Sequence, residues 1–314
     1  MPVKNVPAFL ASLAIATGAF AAPAETPVQL DSDGAIKGSL LLPDGAARVP
    51  AVLIIAGSGP TDRDGNGPGL KNDSLRQLAQ ALAAAGIASV RYDKRGVAAS
   101  AAAGPAEADL RFERYVDDAA AWVRQLKADR RFTKTVVVGH SEGALIGMLA
   151  AGAGGADGVV SLAGPGQRAS DGLRGQLAGK LPPNLAAHSE RILAALEQGK
   201  PAGDVPPELA VLYRPSVQPY LISLFRHDPA REMARLKVPA AVIQGSSDLQ
   251  VGLNDAFTLQ QARPGTALVV VPGMNHLLKM VQGDAQAQAS SYATPDAPLS
   301  PTLVSAVAGF VQAR

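Results

Sequence analysis

The sequence contains no cysteine. That excludes disulfides, a lipid-modified N-terminal cysteine, thiolate metal sites and a cysteine nucleophile. Aromatic residues fill only 4% of the 314 positions, with a single tryptophan, so a core has to be built from Ala, Val, Leu and Ile. Histidine occurs four times, which confines any search for a general base to four places. Excess charge is missing too: 29 Lys and Arg face 27 Asp and Glu, giving a net charge of +2. Without a dense basic block the chain lacks the electrostatic footprint of a nucleic-acid binder. What is present is 47% hydrophobic and 18% charged, the balance of a chain that packs a core rather than staying disordered.

The N-terminus carries a stretch without charge. Lys4 precedes residues 6–20, which are apolar or small, and Ala19-Phe20-Ala21 has the small-x-small form of a cleavage site, with Pro23 second after the cut. This reads as a signal peptide over residues 1–21. It is shorter than a membrane-spanning helix needs, although an uncleaved anchor is the alternative reading. The expectation is an exported protein, periplasmic or secreted, with no stable membrane insertion once the signal is removed.

Residues 28–42 show short β-type runs broken by Asp31-Ser32-Asp33-Gly34, which predicts an N-terminal hairpin closed by Pro43-Asp44-Gly45. Ala51-Val52-Leu53-Ile54-Ile55 is continuously apolar, as suits a strand buried on both faces of a parallel sheet. Helices and strands then alternate. Leu75, Leu78 and Leu82 predict a helix over 73–85, and 87–92 reads as a strand. Val116, Ala120, Val123 and Leu126 predict a helix over 112–126. A strand at 135–138, a helix at 142–151 and a strand at 158–162 follow. The pattern predicts an α/β fold with a mostly parallel sheet and helices on both faces.

After Gly164 the rhythm stops. Residues 165–236 hold helical pieces, many polar residues and prolines at 182, 183, 201, 206, 207, 215 and 219, with no core strand. It resumes with a strand at 239–243, a helix at 253–262, a strand at 267–271 and a closing helix whose inner face is Leu303, Val307, Phe310 and Val311. Residues 22–164 and 237–314 therefore read as one core. Residues 165–236 read as a helical cap or lid inserted at strand C-terminal ends, where it would cover the site and set acyl and alcohol specificity.

Val138-Gly139-His140-Ser141-Glu142-Gly143 contains G-x-S-x-G. In a chain with 32 glycines the pattern alone is weak. Its context is stronger, because an apolar strand precedes it immediately and an apolar helix follows, as a nucleophile elbow requires. A serine on so sharp a turn needs close approach of the backbone two residues before and after, hence Gly139 and Gly143. The alternative is an ordinary glycine-rich turn with a capping serine.

Ser141 needs a base. His140 lies in the elbow itself, His188 and His227 lie in the insertion, and His276 follows the last strand. His276 is thus the candidate base. Asp248, after strand 239–243, is the candidate acid that orients it, against the common role of a turn aspartate. The order Ser, Asp, His is the one found in α/β-hydrolases. An oxyanion hole needs two backbone N–H groups. Glu142 supplies one by its place after the nucleophile, and Ser58 the other, with Gly59 the close second, in Gly57-Ser58-Gly59-Pro60.

On these residues the sequence resembles the α/β-hydrolase serine esterases and related Hydrolase-4-type enzymes. Gly57-Ser58-Gly59-Pro60-Thr61-Asp62-Arg63-Asp64-Gly65-Asn66 is similar to the oxyanion loop of one branch of carboxylesterases, and Arg91-Tyr92-Asp93-Lys94-Arg95-Gly96 to that branch's loop after the next strand. The sequence departs from that branch at Val97-Ala98-Ala99-Ser100, which keeps only the serine of a Gly-x-Ser pattern. The resemblance implies a serine hydrolase acting on small-molecule carboxylic esters through an acyl-enzyme, with no cofactor. The same triad would serve an aminopeptidase-like serine peptidase or an acyltransferase, and a non-catalytic binding protein on a hydrolase scaffold is a further reading. Nothing in the sequence specifies the oligomeric state.

One motif points elsewhere. Asp62-Arg63-Asp64-Gly65-Asn66-Gly67, with Asp73 at the twelfth position, fits a Ca²⁺ loop pattern. The closing residue is not Glu, and a buried strand rather than a helix precedes it. The expectation is a structural loop and no metal, with Asp62, Arg63 and Asp64 pinning it and with Asp93, Lys94 and Arg95 bracing neighbouring loops.

Overall fold

A computed structural model describes residues 25–45, 48–281 and 285–313. The signal peptide expected over residues 1–21 lies outside the described residues.

The first two strands, β1 (Glu25–Asp31) and β2 (Ala35–Leu41), form the expected hairpin. It turns through Asp33 and Gly34, both at positive φ. The other six strands are β3 (Val49–Ile55), β4 (Ala88–Tyr92), β5 (Phe132–His140), β6 (Gly158–Leu162), β7 (Ala240–Gly245) and β8 (Ala267–Val271). They join the hairpin in one sheet of order β1-β2-β4-β3-β5-β6-β7-β8. The hairpin pairs antiparallel onto β4, and every neighbouring pair from β4 to β8 is parallel.

The apolar run in β3 explains why the sheet has helices on both faces. Leu53 and Ile55 point into a core shared with Phe112, Trp122 and Val123 of α2 (Phe112–Ala128) and with Leu145 and Met148 of α3 (Glu142–Gly154). Val52 and Ile54 point the other way. They meet Leu75, Leu78 and Leu82 of α1 (Ser74–Ala84) and Leu303, Val307 and Val311 of the closing helix Pro301–Gln312. Strand alternation thus divides one hydrophobic run between two cores.

Between β6 and β7 the chain forms α4 (Ala169–Leu177), α5 (Pro183–Glu197), α6 (Ala210–Tyr213), α7 (Gln218–Phe225) and α8 (Pro229–Arg235). Several prolines start these helices rather than break them. Pro183, Pro219 and Pro229 sit in first turns, where a missing N–H costs nothing. The segment is fixed to the core through α2. The Phe112 N–H donates to Ser223 Oγ at 2.8 Å, and Tyr220 packs edge-on against Phe112 and Tyr115. After β7 come α9 (Leu253–Ala262) and, beyond β8, α10 (Ala285–Ser291) ahead of the closing helix, α11. Helix α10 has the sequence AQAQASS and no apolar stripe, so the sequence pattern does not announce it.

Candidate active site

The elbow is built as its glycines require. Ser141 stands between β5 and α3 at φ 55° and ψ −125°, a conformation that non-glycine residues avoid. A Cβ on Gly139 would lie 2.1 Å from the Gly143 carbonyl oxygen, and one on Gly143 would lie 2.4 Å from the Ile55 carbonyl oxygen of β3. Only hydrogen fits at either position, so the close backbone approach holds the serine in its strained turn.

The two later strands bring the predicted partners to it. His276 follows β8, and its Nε2 is 3.1 Å from Ser141 Oγ. Asp248 follows β7, and its Oδ2 is 2.8 Å from His276 Nδ1. The Asp248 carboxylate also accepts the Gln250 and Val251 amides at 2.8 and 3.0 Å and Gln244 Nε2 at 3.1 Å. Burial pulls this carboxyl upward. The bond to His276, the imidazole charge and the two amides outweigh it and hold the group below the usual carboxylate value. An ionised Asp248 accepts from Nδ1–H and leaves Nε2 free to take a proton from Ser141. The remaining candidates lie apart. His188 in α5 is near Asp204, and His227 is near Glu113 against the Phe112 ring.

His140, which the sequence offers only as a bystander, is built into the site. Its ring centroid is 4.9 Å from that of His276, and its Nε2 lies 2.7 Å from the His276 carbonyl oxygen. Because a carbonyl only accepts, Nε2 carries the proton. Burial, and then the neighbouring His276, push the His140 pKa down to about 4, so the ring is neutral at pH 7. Asn275 steadies the same loop. Its Oδ1 accepts the Leu277 and Lys279 amides at 3.0 Å, and its Nδ2 donates to Ser291 Oγ at 2.7 Å.

The loop after β3 lies against the elbow, since a Cβ on Gly57 would meet Ser141 Cβ at 3.1 Å. Gly57 and Ser58 share a cavity of about 180 Å³ with Ser141, His140 and His276. Glu142 opens α3, where a leading amide has no intrahelical acceptor. The cavity's lining also includes Thr61, Leu70, Asn72, Gln250, Leu277 and Tyr292. None of these described residues comes from 165–236. The insertion instead contributes Arg214, Val217 and Tyr220 to a second cavity of about 320 Å³, which reaches Gly59 and Pro60.

The calcium-like loop is held as a structural one. Asp62 Oδ1 accepts the Asp64 and Asn66 amides, each at 2.8 Å, and Asp73 accepts Asn66 Nδ2 at 2.7 Å. Asp64 pairs with Arg76 at 2.6 Å and with buried Arg91 at 2.9 Å. These carboxylates are thus committed to protein N–H donors. Bracing by the next loop is also as expected: Asp93 pairs with Arg63, and Arg95 pairs with Asp118, each at 2.7 Å.

A parallel sheet edged by an antiparallel hairpin, a serine on a strained strand-to-helix turn, and an aspartate and histidine brought in by the last two strands make up the α/β-hydrolase fold, which this chain adopts. The family described as serine aminopeptidase, S33 (Hydrolase_4) matches residues 67–201, a span that includes Ser141 but neither Asp248 nor His276. The chain is similar to esterase EstD of Thermotoga maritima, with 31% identity over 261 residues, covering 82% of this chain and 61% of that protein. It therefore spans less than two thirds of this curated relative's length. Among solved structures, Est1E from Butyrivibrio proteoclasticus shares the fold with a TM-score of 0.59 at 17% identity, over 92% of this chain and 99% of that one. The esterase domain from a Rhodothermus marinus protein does so with a TM-score of 0.52 at 16% identity, over 91% and 98%.

Proposed function

We propose that the protein is a serine hydrolase that cleaves small carboxylic esters through an acyl-enzyme on Ser141. The observation that carries this reading is the continuous chain from Ser141 Oγ to His276 Nε2 at 3.1 Å and from His276 Nδ1 to Asp248 at 2.8 Å. Ser141 attacks the ester carbonyl while His276 takes its proton. Asp248 holds the imidazole in the required tautomer and stabilises the imidazolium. The Ser58 and Glu142 amides receive the developing oxyanion. His276 then gives its proton to the leaving alcohol, and water, activated by the same imidazole, releases the acid. The similarity to an esterase supports this class of substrate.

The test is turnover of p-nitrophenyl butyrate by wild type and Ser141→Ala. We expect kcat to fall by about 10⁴-fold or more in the variant, as for loss of a nucleophile acting within a triad. Turnover undiminished in Ser141→Ala would overturn the reading.

A second reading, cleavage of aminoacyl amides, is favoured by the description of the matched family as a serine aminopeptidase. The chemistry at Ser141 is unchanged and only the leaving group differs. Aminoacyl p-nitroanilides assayed beside the esters separate the two: a larger kcat/KM on the anilides would move the assignment to a peptidase.

A further inference from the structure

Lys94 is a buried amine that the reaction above does not use, and burial lowers its pKa below the ordinary lysine value while Glu142 opposes that. It is 1% exposed, and its Nζ donates to the Gly57 carbonyl beneath the loop after β3. Its Nζ lies 5.4 Å from the centroid of the Tyr115 ring. A buried cation is costly unless something compensates it. The neighbouring buried arginines are compensated by carboxylates, Arg91 by Asp64 and Glu25 and Arg95 by Asp118. Lys94 instead places its charge on a backbone carbonyl. The negative charge it feels is that of Glu142, the first residue of α3.

The geometry of a peptide unit gives this contact a consequence. No cis bond occurs among the described residues, and in a trans peptide the C=O and the following N–H point in opposite directions. A donor holding the Gly57 carbonyl therefore turns the Ser58 N–H to the other side of the loop. Lys94 does not line the cavity that Gly57 and Ser58 share with Ser141. A cation on the carbonyl also withdraws density from the peptide and makes its N–H a stronger donor. We propose that Lys94 is a positioning residue for the oxyanion hole, holding the Gly57–Ser58 peptide so that the Ser58 N–H faces the carbon attacked by Ser141. This rests on the ester-cleavage reading above and adds to it the residue that presets one of the two donors.

Two near-isosteric variants test it: Lys94→Met removes the donor and the charge, and Lys94→Gln keeps a donor without charge. Activity is expressed per active site titrated by the p-nitrophenol burst, so a partly misfolded sample does not count as slow. We expect kcat on p-nitrophenyl butyrate to fall about 10- to 100-fold in Lys94→Met, with KM within about threefold, and Lys94→Gln to lie between it and wild type. The rate of fluorophosphonate labelling at Ser141 should fall in parallel, because that reaction develops charge at the same place. In wild type, the Ser58 amide proton should shift downfield when phenylboronic acid binds Ser141. This measurement does not depend on either variant folding, and an unmoved Ser58 resonance overturns the proposal. So does a Lys94→Met protein whose kcat and labelling rate stay within about twofold of wild type per titrated site. If wild type neither hydrolyses the ester nor labels at Ser141, the ester-cleavage reading fails and this role falls with it. If wild type does both while Lys94→Met matches it, the positioning role alone fails.

Discussion

At Gly139 the absence of one carbon decides whether the site exists. A Cβ there would sit 2.1 Å from the Gly143 carbonyl oxygen, inside any allowed contact. Gly139→Ala should therefore displace the turn, costing about 3 kcal/mol of stability and lowering kcat by about 100-fold or more. Gly152, ten residues into α3, is a contrasting case: nothing lies within 4 Å of its would-be Cβ. Gly152→Ala should stabilise the fold by about 0.5–1 kcal/mol and leave kcat unchanged. Urea unfolding and ester turnover of the pair check both statements. Equal behaviour of the two variants would show that close approach is not what constrains the elbow.

At the scale of elements, the cavity beside Ser141 is lined in part by the chain after β8. Tyr292, just past α10, lines it, and its phenolic oxygen bonds the Gln250 side chain from the loop that carries Asp248. Removing the ring in Tyr292→Ala should open that wall. In an ester chain-length series we expect kcat/KM for octanoate relative to butyrate to rise about tenfold, a gain within what one apolar wall contributes. Val211→Ala, on an exposed turn of the insertion, should leave the ratio where it is. A ratio unmoved by Tyr292→Ala would return specificity to the insertion.

The same elements show what could be read from the sequence. Helix α9 and strand β8 fall where periodicity and the apolar run place them, although only Val271 of β8 and Ala256 and Leu259 of α9 are buried. Ser141, Asp248 and His276 were legible because strand ends mark them. His140 was not, Lys94 was legible only as a brace between neighbouring loops, and Tyr292 was not. Each acts through a partner distant in sequence: a carbonyl 136 residues on, a carbonyl 37 residues back, and a side chain 42 residues back. No spacing rule reaches such contacts. The insertion was legible as helices but not as an arrangement, since its contacts with α2 depend on tertiary packing.

For the whole molecule, these buried groups set the response to acid. His140 binds its proton only near pH 4 in the folded protein, against 6.5 for an ordinary imidazole. Between those values the unfolded chain holds more protons than the folded one, so stability falls as pH drops from about 6.5 to about 4. The contribution is on the order of 3 kcal/mol at most. Asp248, with its pKa held below the usual value, adds a loss in the same direction at still lower pH. Urea midpoints measured from pH 7 to pH 4 should decline in wild type and decline less steeply in His140→Gln, which keeps an N–H donor but does not titrate. Parallel curves for the two proteins would contradict the account.

The sheet is not filled in chain order, and Ser141 is bonded to a histidine 135 residues further along. A ribosome has made β1 to β6 and the whole elbow long before β7 and β8 supply Asp248 and His276. During that interval Ser141 lacks the two partners that the fold brings to it. On the ester-cleavage reading proposed above, reactivity is therefore gained only when the last strands dock. On that reading, a chain truncated before β8 is expected not to attack esters.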